Sequence, residues 1–239
     1  MGTPKISIII PTLNEAENIS RLLKHLYTAK TSEVPVEIII ADGGSVDNTS
    51  TIIQEYIDKN NATNIVTITS PKGRAKQMNA GAAIAKGAIL YFLHADSFPP
   101  TGYDQNIVQE IEKGNLAGCF RMRFDSNHWW LRLASWLTQF RWRACRGGDQ
   151  SQFITKKLFE DLGRYDERFI IYEDNDLINK LYERKEFVVI NNKITTSARR
   201  YKNNGIWKLQ YHFWAIYVKK WLGASAEELH EYYKKKIVS

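Results

Sequence analysis

The stretch that decides the fold lies between Glu37 and Ser45 and reads EIIIADGGS. Its three consecutive isoleucines are typical of a strand buried on both faces, and Asp42 opens the glycine turn that follows. A second stretch, AILYFLHAD at residues 88–96, has the same order and ends at Asp96. In an α/β sheet, a carboxylate at the carboxyl end of a strand faces the crevice in which such folds bind ligands. The two stretches therefore predict one acidic group for a nucleoside and one for a metal-bound phosphate.

Strands and helices alternate regularly around these stretches. Residues 6–10 form another continuous β-branched run, and residues 15–28 repeat apolar side chains at helical spacing. Strands are also predicted over 36–40, 64–69 and 88–93, and helices over 47–58, 74–86 and 103–113. This alternation predicts an α/β fold with a mainly parallel sheet and helices on both faces.

The pattern changes after residue 118. The sequence predicts a strand over 119–124, an aromatic, Arg-rich helix over 128–142, helices over 157–162 and 175–184, and short strands over 187–190 and 193–197. Residues 206–236 are typical of two amphipathic helices broken near Gly223. We predict a domain over 1–200, with a nucleotide-binding half (1–118) and an acceptor half (119–200), and a C-terminal helical appendage over 201–239.

Composition limits the class of protein. The chain has 239 residues, 44% hydrophobic and 25% charged, which is typical of a soluble protein with a sizeable core. Its two cysteines, Cys119 and Cys145, are too few for a disulfide framework, and no basic-then-apolar leader begins the sequence. These features predict a cytoplasmic location, at the inner face of the membrane if the protein binds lipid.

Charge is distributed unevenly. The formal net charge is +7; residues 1–120 carry 10 Lys and Arg against 12 Asp and Glu, and residues 121–239 carry 23 against 14. A basic second half beside an acidic crevice suits an anionic substrate or an anionic membrane surface. A solvated basic surface explains most individual lysines equally well.

The loops after the first two strands carry polar residues suited to a nucleotide. Asn14 is predicted to cap the first helix, with Glu15 in its first turn, and Ser45 or Asp47 to cap the second. Asp42 is then free to accept hydrogen bonds from a base or ribose. The chain has neither a Gly-x-Gly-x-x-Gly fingerprint after its first strand nor a Gly-x-x-x-x-Gly-Lys-Ser/Thr loop, so nucleotide binding must use side chains and a metal.

Five motifs in this order resemble those of the family-2 nucleotide-sugar glycosyltransferases, which have the GT-A fold. They are Ser7 to Glu15, Asp42 to Ser45, Gly73-Arg74-Ala75 with Asn79-Ala80-Gly81, His94-Ala95-Asp96, and Glu173-Asp174. The resemblance covers residues 5–200 and implies a Rossmann-like, mixed and mainly parallel sheet flanked by helices. It also implies a nucleoside diphosphate sugar as donor and a divalent cation, Mg²⁺ or Mn²⁺, as cofactor.

The resemblance assigns residues to the donor end of the cleft. Those implied at the nucleotide sugar are Pro11, Thr12, Asn14, Glu15, Asp42, Arg74, Ala95 and Asp96. Asp96 matches the carboxylate that coordinates the cation. The family usually has Asp where this chain has His94, so a contact of His94 with the metal or ribose stays open. His212 is the candidate for a further metal ligand, with a solvent-facing His as the alternative.

The second half supplies candidates for acceptor chemistry. The family's matching Asp is the general base that deprotonates the acceptor hydroxyl, which implies Asp174, with Glu173 next; helix capping is the alternative. Asp149 and Gln150 follow two glycines, and their side chains suit hydrogen bonds to an acceptor or donor sugar. A glycine turn with a polar edge explains them equally well.

Two stretches combine tryptophan with cations, residues 129–143 and 211–221. Peripheral membrane contact would place indole rings at headgroup depth and arginines toward anionic lipid, which suits a lipid-linked acceptor. Packing on the sheet, or on a second subunit in a homodimer, is the alternative.

These features together predict metal-dependent transfer of a sugar from a nucleoside diphosphate sugar to an acceptor hydroxyl, inverting by the resemblance. A nucleotidyltransferase could use a similar sheet and metal, but the chain lacks the usual Gly-rich basic loop near the N-terminus. A non-catalytic basic protein that binds a membrane or nucleic acid is the other alternative. The glycosyltransferase interpretation requires no nucleic-acid partner.

Overall fold

The sheet is the framework of the molecule. The computed structural model describes residues 5–31 and 34–238. Its strands are β1 (Ile6–Thr12), β2 (Val36–Asp42), β3 (Ile65–Thr69), β4 (Ile89–Phe92), β5 (Ser97–Phe98), β6 (Ala117–Phe124), β7 (Gln152–Thr155) and β8 (Val188–Thr196). Within the described ranges they form one sheet in the order β3-β2-β1-β4-β7-β6-β8-β5.

Helices connect the strands and continue after the last one. They are α1 (Ile19–Ala29), α2 (Thr49–Asn60), α3 (Arg74–Ile84), α4 (Tyr103–Glu112), α5 (Trp129–Leu137), α6 (Lys156–Asp161), α7 (Glu173–Glu183), α8 (Arg199–Asn204), α9 (Ile206–Trp221) and α10 (Ala226–Tyr233). Among the described residues, none of the helices has the length and apolar character needed to cross a lipid bilayer.

The central strands are parallel and buried. β1 pairs in parallel with β2 and β4, so that Ile8 lies opposite both Ile38 and Tyr91. β2 pairs in parallel with β3, and β7 is antiparallel to β4 and β6. Because parallel strands end at the same edge, the turns after β1, β2 and β4 lie side by side. The predicted mixed, mainly parallel sheet with helices on both faces is confirmed.

Helices cover both faces of this sheet. Ile8 packs with α1, α2 and α4 on one face, and Ile9 packs with α3, α6 and α7 on the other. A Cβ on Gly81 of α3 would come within 2.5 Å of Ile9 Cγ2, so the close approach of α3 to β1 requires glycine. A third cluster joins α9 and α10 to Tyr172, directly before α7. The C-terminal helices therefore pack against the acceptor half.

The first helix starts later than predicted. α1 begins at Ile19, not at Glu15, and Asn14 adopts a φ of 56° instead of capping it. The Asn14 side chain accepts a hydrogen bond from Val46 N (2.9 Å), in the loop after β2. Residues 15–18 thus belong to a turn held by a neighbouring loop, an interaction that helical periodicity does not reveal.

Other differences lie in the second half. α5 ends at Leu137 rather than at residue 142, because the buried Arg146 guanidinium donates to the carbonyls of Thr138 (2.7 Å) and Phe140 (2.5 Å) and draws the chain into a turn. The short strands expected over 187–190 and 193–197 form the single strand β8. β7 and α8 were not predicted.

Candidate functional site

Asp42 is engaged by its own turn. Its Oδ2 accepts hydrogen bonds from the backbone N–H groups of Gly44 (3.1 Å) and Ser45 (2.9 Å). Its Oδ1 accepts from Ser45 Oγ (2.5 Å) and Thr12 Oγ1 (3.4 Å). Four contacts use the acceptor capacity of a carboxylate, so the expectation of a free Asp42 was wrong. Only the long Thr12 contact is weak enough to be exchanged for a donor on a ribose or base.

The loops after β1 and β2 are hydrogen-bonded to each other. The N–H groups of Asn14 and Glu15 donate to the hydroxyls of Ser45 (2.9 Å) and Thr49 (2.8 Å). Below them, buried Gln77 on α3 donates to the carbonyls of Thr12 (2.7 Å), which ends β1, and Ala41 (2.8 Å), near the end of β2. Sequence reasoning missed Gln77; its signal is a polar residue, like Asn79, on the buried and mostly small-residue face of a helix.

Asp96 lies among charged groups at the same edge. Burial and the negative charges of Asp149 and Glu15 raise the pKa of Asp96, although His94 acts in the opposite direction. The Glu15 carboxylate also pairs with Arg199 Nη2 (3.0 Å) at the start of α8. Hydrogen bonds and charges thus connect the β2 loop, through Glu15, to the surroundings of Asp96. The two acidic turns lie along one edge of the sheet.

Three of the predicted donor-site residues have little access to solvent. Pro11, Thr12 and Ala95 are buried at the ends of their strands. Their assignment to the nucleotide sugar stays a prediction. Asn14 is exposed at the tip of its loop, and the Arg74 side chain is 36% exposed at the start of α3.

Glu173 is fully buried at the start of α7. Arg74 Nε lies 2.6 Å from Glu173 Oε1, and Glu173 Oε2 has no hydrogen-bond partner among the described residues. Burial raises the pKa of Glu173 to about 7 despite the Arg74 guanidinium, and Asp174 adds to the rise. A carboxyl without access to the cleft cannot meet an acceptor hydroxyl. Glu173 is therefore paired with Arg74 inside the protein, whereas Asp174, the next residue, keeps 6% of its surface exposed.

Gly148 brings three motifs together. A Cβ at this position would lie 2.0 Å from Asp174 Oδ2 and 3.2 Å from His94 Cε1, so the glycine provides the space that the Asp174 carboxylate occupies. Next to it, Asp149 Oδ1 lies 3.9 Å from His94 Nδ1. The turn after β4, the loop over 147–150 and the start of α7 therefore meet at one point, although they are distant in sequence.

Gln150 is part of the scaffold. Its side chain is 3% exposed, Oε1 accepts from Arg146 Nη1 (2.6 Å), and Nε2 donates to Cys145 O (2.5 Å). Both ends of the amide are bonded inside the protein and support the loop, and a contact of Gln150 with a sugar stays a prediction. Asp149, which is half exposed, remains the sugar-facing candidate of this loop.

The side chains near Asp96 fit a cation that also binds phosphate. Within the described ranges, no three His, Cys, Asp or Glu side chains are grouped to hold a metal ion by themselves. His212 is hydrogen-bonded to Tyr232 (2.8 Å) between α9 and α10, and no described contact joins it to Asp96. Mg²⁺ commonly takes one or two carboxylates together with substrate phosphates. Asp96 and Asp149, whose charges interact, are the carboxylates that could serve a cation in this way.

The mainly parallel sheet, with helices on both faces and acidic turns at its carboxyl edge, defines a Rossmann-like class of protein. Within that class, the chain belongs to glycosyl transferase family 2, whose sequence model matches residues 7–165. It is 26% identical over 198 residues to the probable glycosyltransferase YdaM of Bacillus subtilis, covering 75% of this chain and 47% of the relative. It is also 26% identical over 200 residues to the undecaprenyl-phosphate 4-deoxy-4-formamido-L-arabinose transferase of Proteus mirabilis, covering 82% and 57%. The chain thus spans about half the length of these relatives.

Solved structures share the fold. The mannosyltransferase PcManGT from Pyrobaculum calidifontis, in complex with GDP-Man and Mn²⁺, superposes with a TM-score of 0.71 at 17% identity, covering 98% of this chain and 70% of that one. Staphylococcus aureus TarS, in complex with UDP, gives a TM-score of 0.65 at 17% identity, covering 81% and 60%. These similarities confirm the GT-A fold expected from the sequence.

Proposed function

We propose that this chain transfers a sugar from a nucleoside diphosphate sugar to a hydroxyl group of an acceptor. The observation that carries the proposal is the meeting of Asp174 and His94 around Gly148, beside Asp149 and Asp96. One cleft thereby has carboxylates for a cation at the donor and a carboxylate for the acceptor. Membership of family 2 and the nucleotides bound to the similar structures support this activity.

Arg74 and a divalent cation are the proposed partners of the donor diphosphate. Glu173 holds Arg74 at Nε, which leaves the rest of the partly exposed guanidinium for phosphate oxygens. Asp96 would hold Mg²⁺ or Mn²⁺, with Asp149 and His94 nearby, and the bound ion would neutralise charge on the leaving diphosphate. The Mn²⁺ in the Pyrobaculum calidifontis complex supports a metal in this role.

Asp174 is the proposed general base. The acceptor oxygen forms a bond to the anomeric carbon, the bond from that carbon to the phosphate oxygen breaks, and Asp174 takes the hydroxyl proton. Displacement from the side opposite the diphosphate inverts the anomeric configuration. Glu173 is a positioning residue in this scheme, because it is buried and paired with Arg74.

The proposed acceptor is a hydroxyl on a lipid-linked molecule at the cytoplasmic face of a membrane. The Proteus mirabilis relative is named for undecaprenyl phosphate. A relative from Methanococcus voltae, 31% identical over 109 residues, is named for a dolichyl N-acetyl-glucosaminyl phosphate. These names support a lipid carrier in the acceptor class.

Thermal unfolding with a panel of UDP-, GDP- and TDP-sugars, each with and without Mn²⁺, tests the proposal. A ligand that binds the native state raises Tm by mass action, so the donor is expected to raise Tm more when Mn²⁺ is present. Incubation with the acceptor should then release a nucleoside diphosphate. Release of pyrophosphate would indicate a nucleotidyltransferase instead, and salt-sensitive binding to DNA with no response to any nucleotide sugar would indicate a non-catalytic protein.

A further inference from the structure

Two helical segments carry most of the exposed apolar surface. Residues 128–143 and 206–222 hold eleven of the sixteen large hydrophobic side chains that are exposed among the described residues. Trp142 is 60% exposed, Trp207 53% and Trp221 85%. Monomeric soluble proteins rarely expose contiguous apolar patches of this kind without a binding role. We call these two segments the aromatic surface.

The two segments form one surface. The Trp130 ring, on α5, lies 5.3 Å from the Trp207 ring and 5.9 Å from the Trp214 ring, both on α9. Trp130 Nε1 also donates to Gln210 Oε1 (3.2 Å). Ring contacts and a part-buried hydrogen bond between the helices thus fix these indoles relative to one another.

The charge of the aromatic surface is entirely positive. Residues 128–143 and 206–222 contain six Lys and Arg and no Asp or Glu. Beside α5 lies a cavity of about 530 Å³ whose lining includes Arg121, Arg123, Arg132 and Lys193. The acid in that lining, Asp125, is bound to the Ala198 N–H (2.6 Å). Among the described residues, neither these cations nor those of the two segments form an ion pair with a carboxylate, so their charges are available for an anionic partner.

The charge also argues against a second copy of this chain as the partner. A two-fold interface on this surface would place the same cations opposite each other, which is unfavourable. Nucleic acid would satisfy the cations, but it offers no apolar environment for Leu133, Val218 and Leu222, which are all exposed. The headgroup region of an anionic bilayer offers both, with indoles at the interface and cations at the phosphates.

We propose that the aromatic surface docks this protein on an anionic lipid bilayer and thereby presents the cleft to a lipid-linked acceptor; the second part rests on the proposed function. The surface adjoins the cleft directly. The Tyr217 ring, on α9, packs at 5.6 Å against Tyr172, and Tyr217 Oη donates to Asn175 Oδ1 (3.4 Å). These partners flank Glu173 and Asp174. A hydroxyl held at the bilayer surface would thus lie beside the proposed base.

Flotation with phosphatidylcholine vesicles, with and without phosphatidylglycerol, tests the docking. We expect the wild type to float with the phosphatidylglycerol vesicles and to be released by high salt. Replacing exposed apolar groups in Trp221→Ser/Leu222→Ser should weaken binding about tenfold or more. Removing two cations in Arg132→Gln/Lys208→Gln should have an effect of about the same size. The control variants, Val66→Ser/Ile84→Ser and Lys24→Gln/Lys59→Gln, change exposed side chains of the same kind elsewhere and should bind like the wild type.

The docking proposal would be overturned by no preference for anionic vesicles, by equal loss in variants and controls, or by a wild-type dimer that the tryptophan variant dissociates while vesicle binding is unchanged. Preferential binding to an oligonucleotide that the vesicles cannot displace would do so as well. The donor-dependent rise in Tm is measured on each variant alongside. If the donor raises Tm but the protein does not bind vesicles, only the docking proposal fails. If the protein binds vesicles but no donor raises Tm, the proposed function fails.

Discussion

Glu173 has a carboxyl whose ionisation depends on folding. Burial raises its pKa to about 7 in the folded protein, from 4.5 ordinarily. Folding thus favours the protonated form, so the stability that this group contributes is complete below pH 4.5 and is lost as the pH rises through 7. We expect the unfolding free energy of the wild type to fall, relative to Glu173→Gln, by up to about 3 kcal/mol between about pH 5 and pH 8. Urea unfolding at each pH measures this difference.

The control for this prediction lies on the same helix. Glu183 ends α7 and is exposed, so Glu183→Gln should leave the pH dependence of stability unchanged. A difference between the wild type and Glu173→Gln that is flat across this pH range would contradict the burial argument.

Asp174 and Asp176 share the first turn of α7 but differ in their surroundings. Asp174 is 6% exposed and faces Gly148, whereas Asp176 pairs with Lys180 (2.9 Å) one turn along the helix. If Asp174 is the base, Asp174→Asn should lower the rate of transfer about 10²- to 10⁴-fold and leave the donor-dependent rise in Tm intact. Asp176→Asn should retain transfer. Similar losses in both variants would argue against Asp174 as the base.

Within the loop over 147–150, Gly148 leaves room for the Asp174 carboxylate because it has no side chain. In Gly148→Ala the new methyl group would clash with Asp174 Oδ2, so the carboxylate must move and transfer should fall by about 10²-fold or more. Gly147→Ala is the matched control, because a Cβ there meets nothing within 4 Å and its φ of −170° is extended backbone. Transfer rates of the two variants relative to the wild type measure the effect. Equal rates would mean that the carboxylate does not need its present position.

The elements that the sequence predicts well are those whose own residues determine them. β1, β2 and β4 follow from unbroken apolar runs, and their register places the two acidic turns at one edge. The sequence does not predict features that depend on contacts formed only in the folded chain. Asn14 contacts Val46, 32 residues away, instead of capping a helix. Gln150 bonds to Arg146 and Cys145, which are close in sequence but meet it only in the folded loop. The hydrophobic periodicity of the sequence does not reveal the contacts of Asn14 or of Gln150.

At the scale of the whole molecule, the predicted nucleotide-binding and acceptor halves share one sheet. β7, from the acceptor half, pairs with β4, from the donor half, and the ion pair of Arg199 with Glu15 joins them again (3.0 Å). A sheet that crosses both halves is expected to unfold in one transition. We therefore propose that the boundary at residue 118 separates nucleotide binding from acceptor binding, and that the two halves fold together as one unit.

Donor binding should therefore stabilise the whole chain at once. With Mn²⁺ and a donor at about 100 times Kd, the single transition should gain about 2.7 kcal/mol, measured by urea unfolding with and without ligand. EDTA removes Mn²⁺ and so identifies the Mn²⁺-dependent part of this stability gain. Asp96→Ala removes the proposed cation ligand and should abolish the same part. Asp58→Asn, an exposed acid on α2, should keep the full gain. If Asp96→Ala keeps the Mn²⁺-dependent gain in stability, Asp96 is not a metal ligand. If a second unfolding transition does not respond to the donor, the two halves unfold separately.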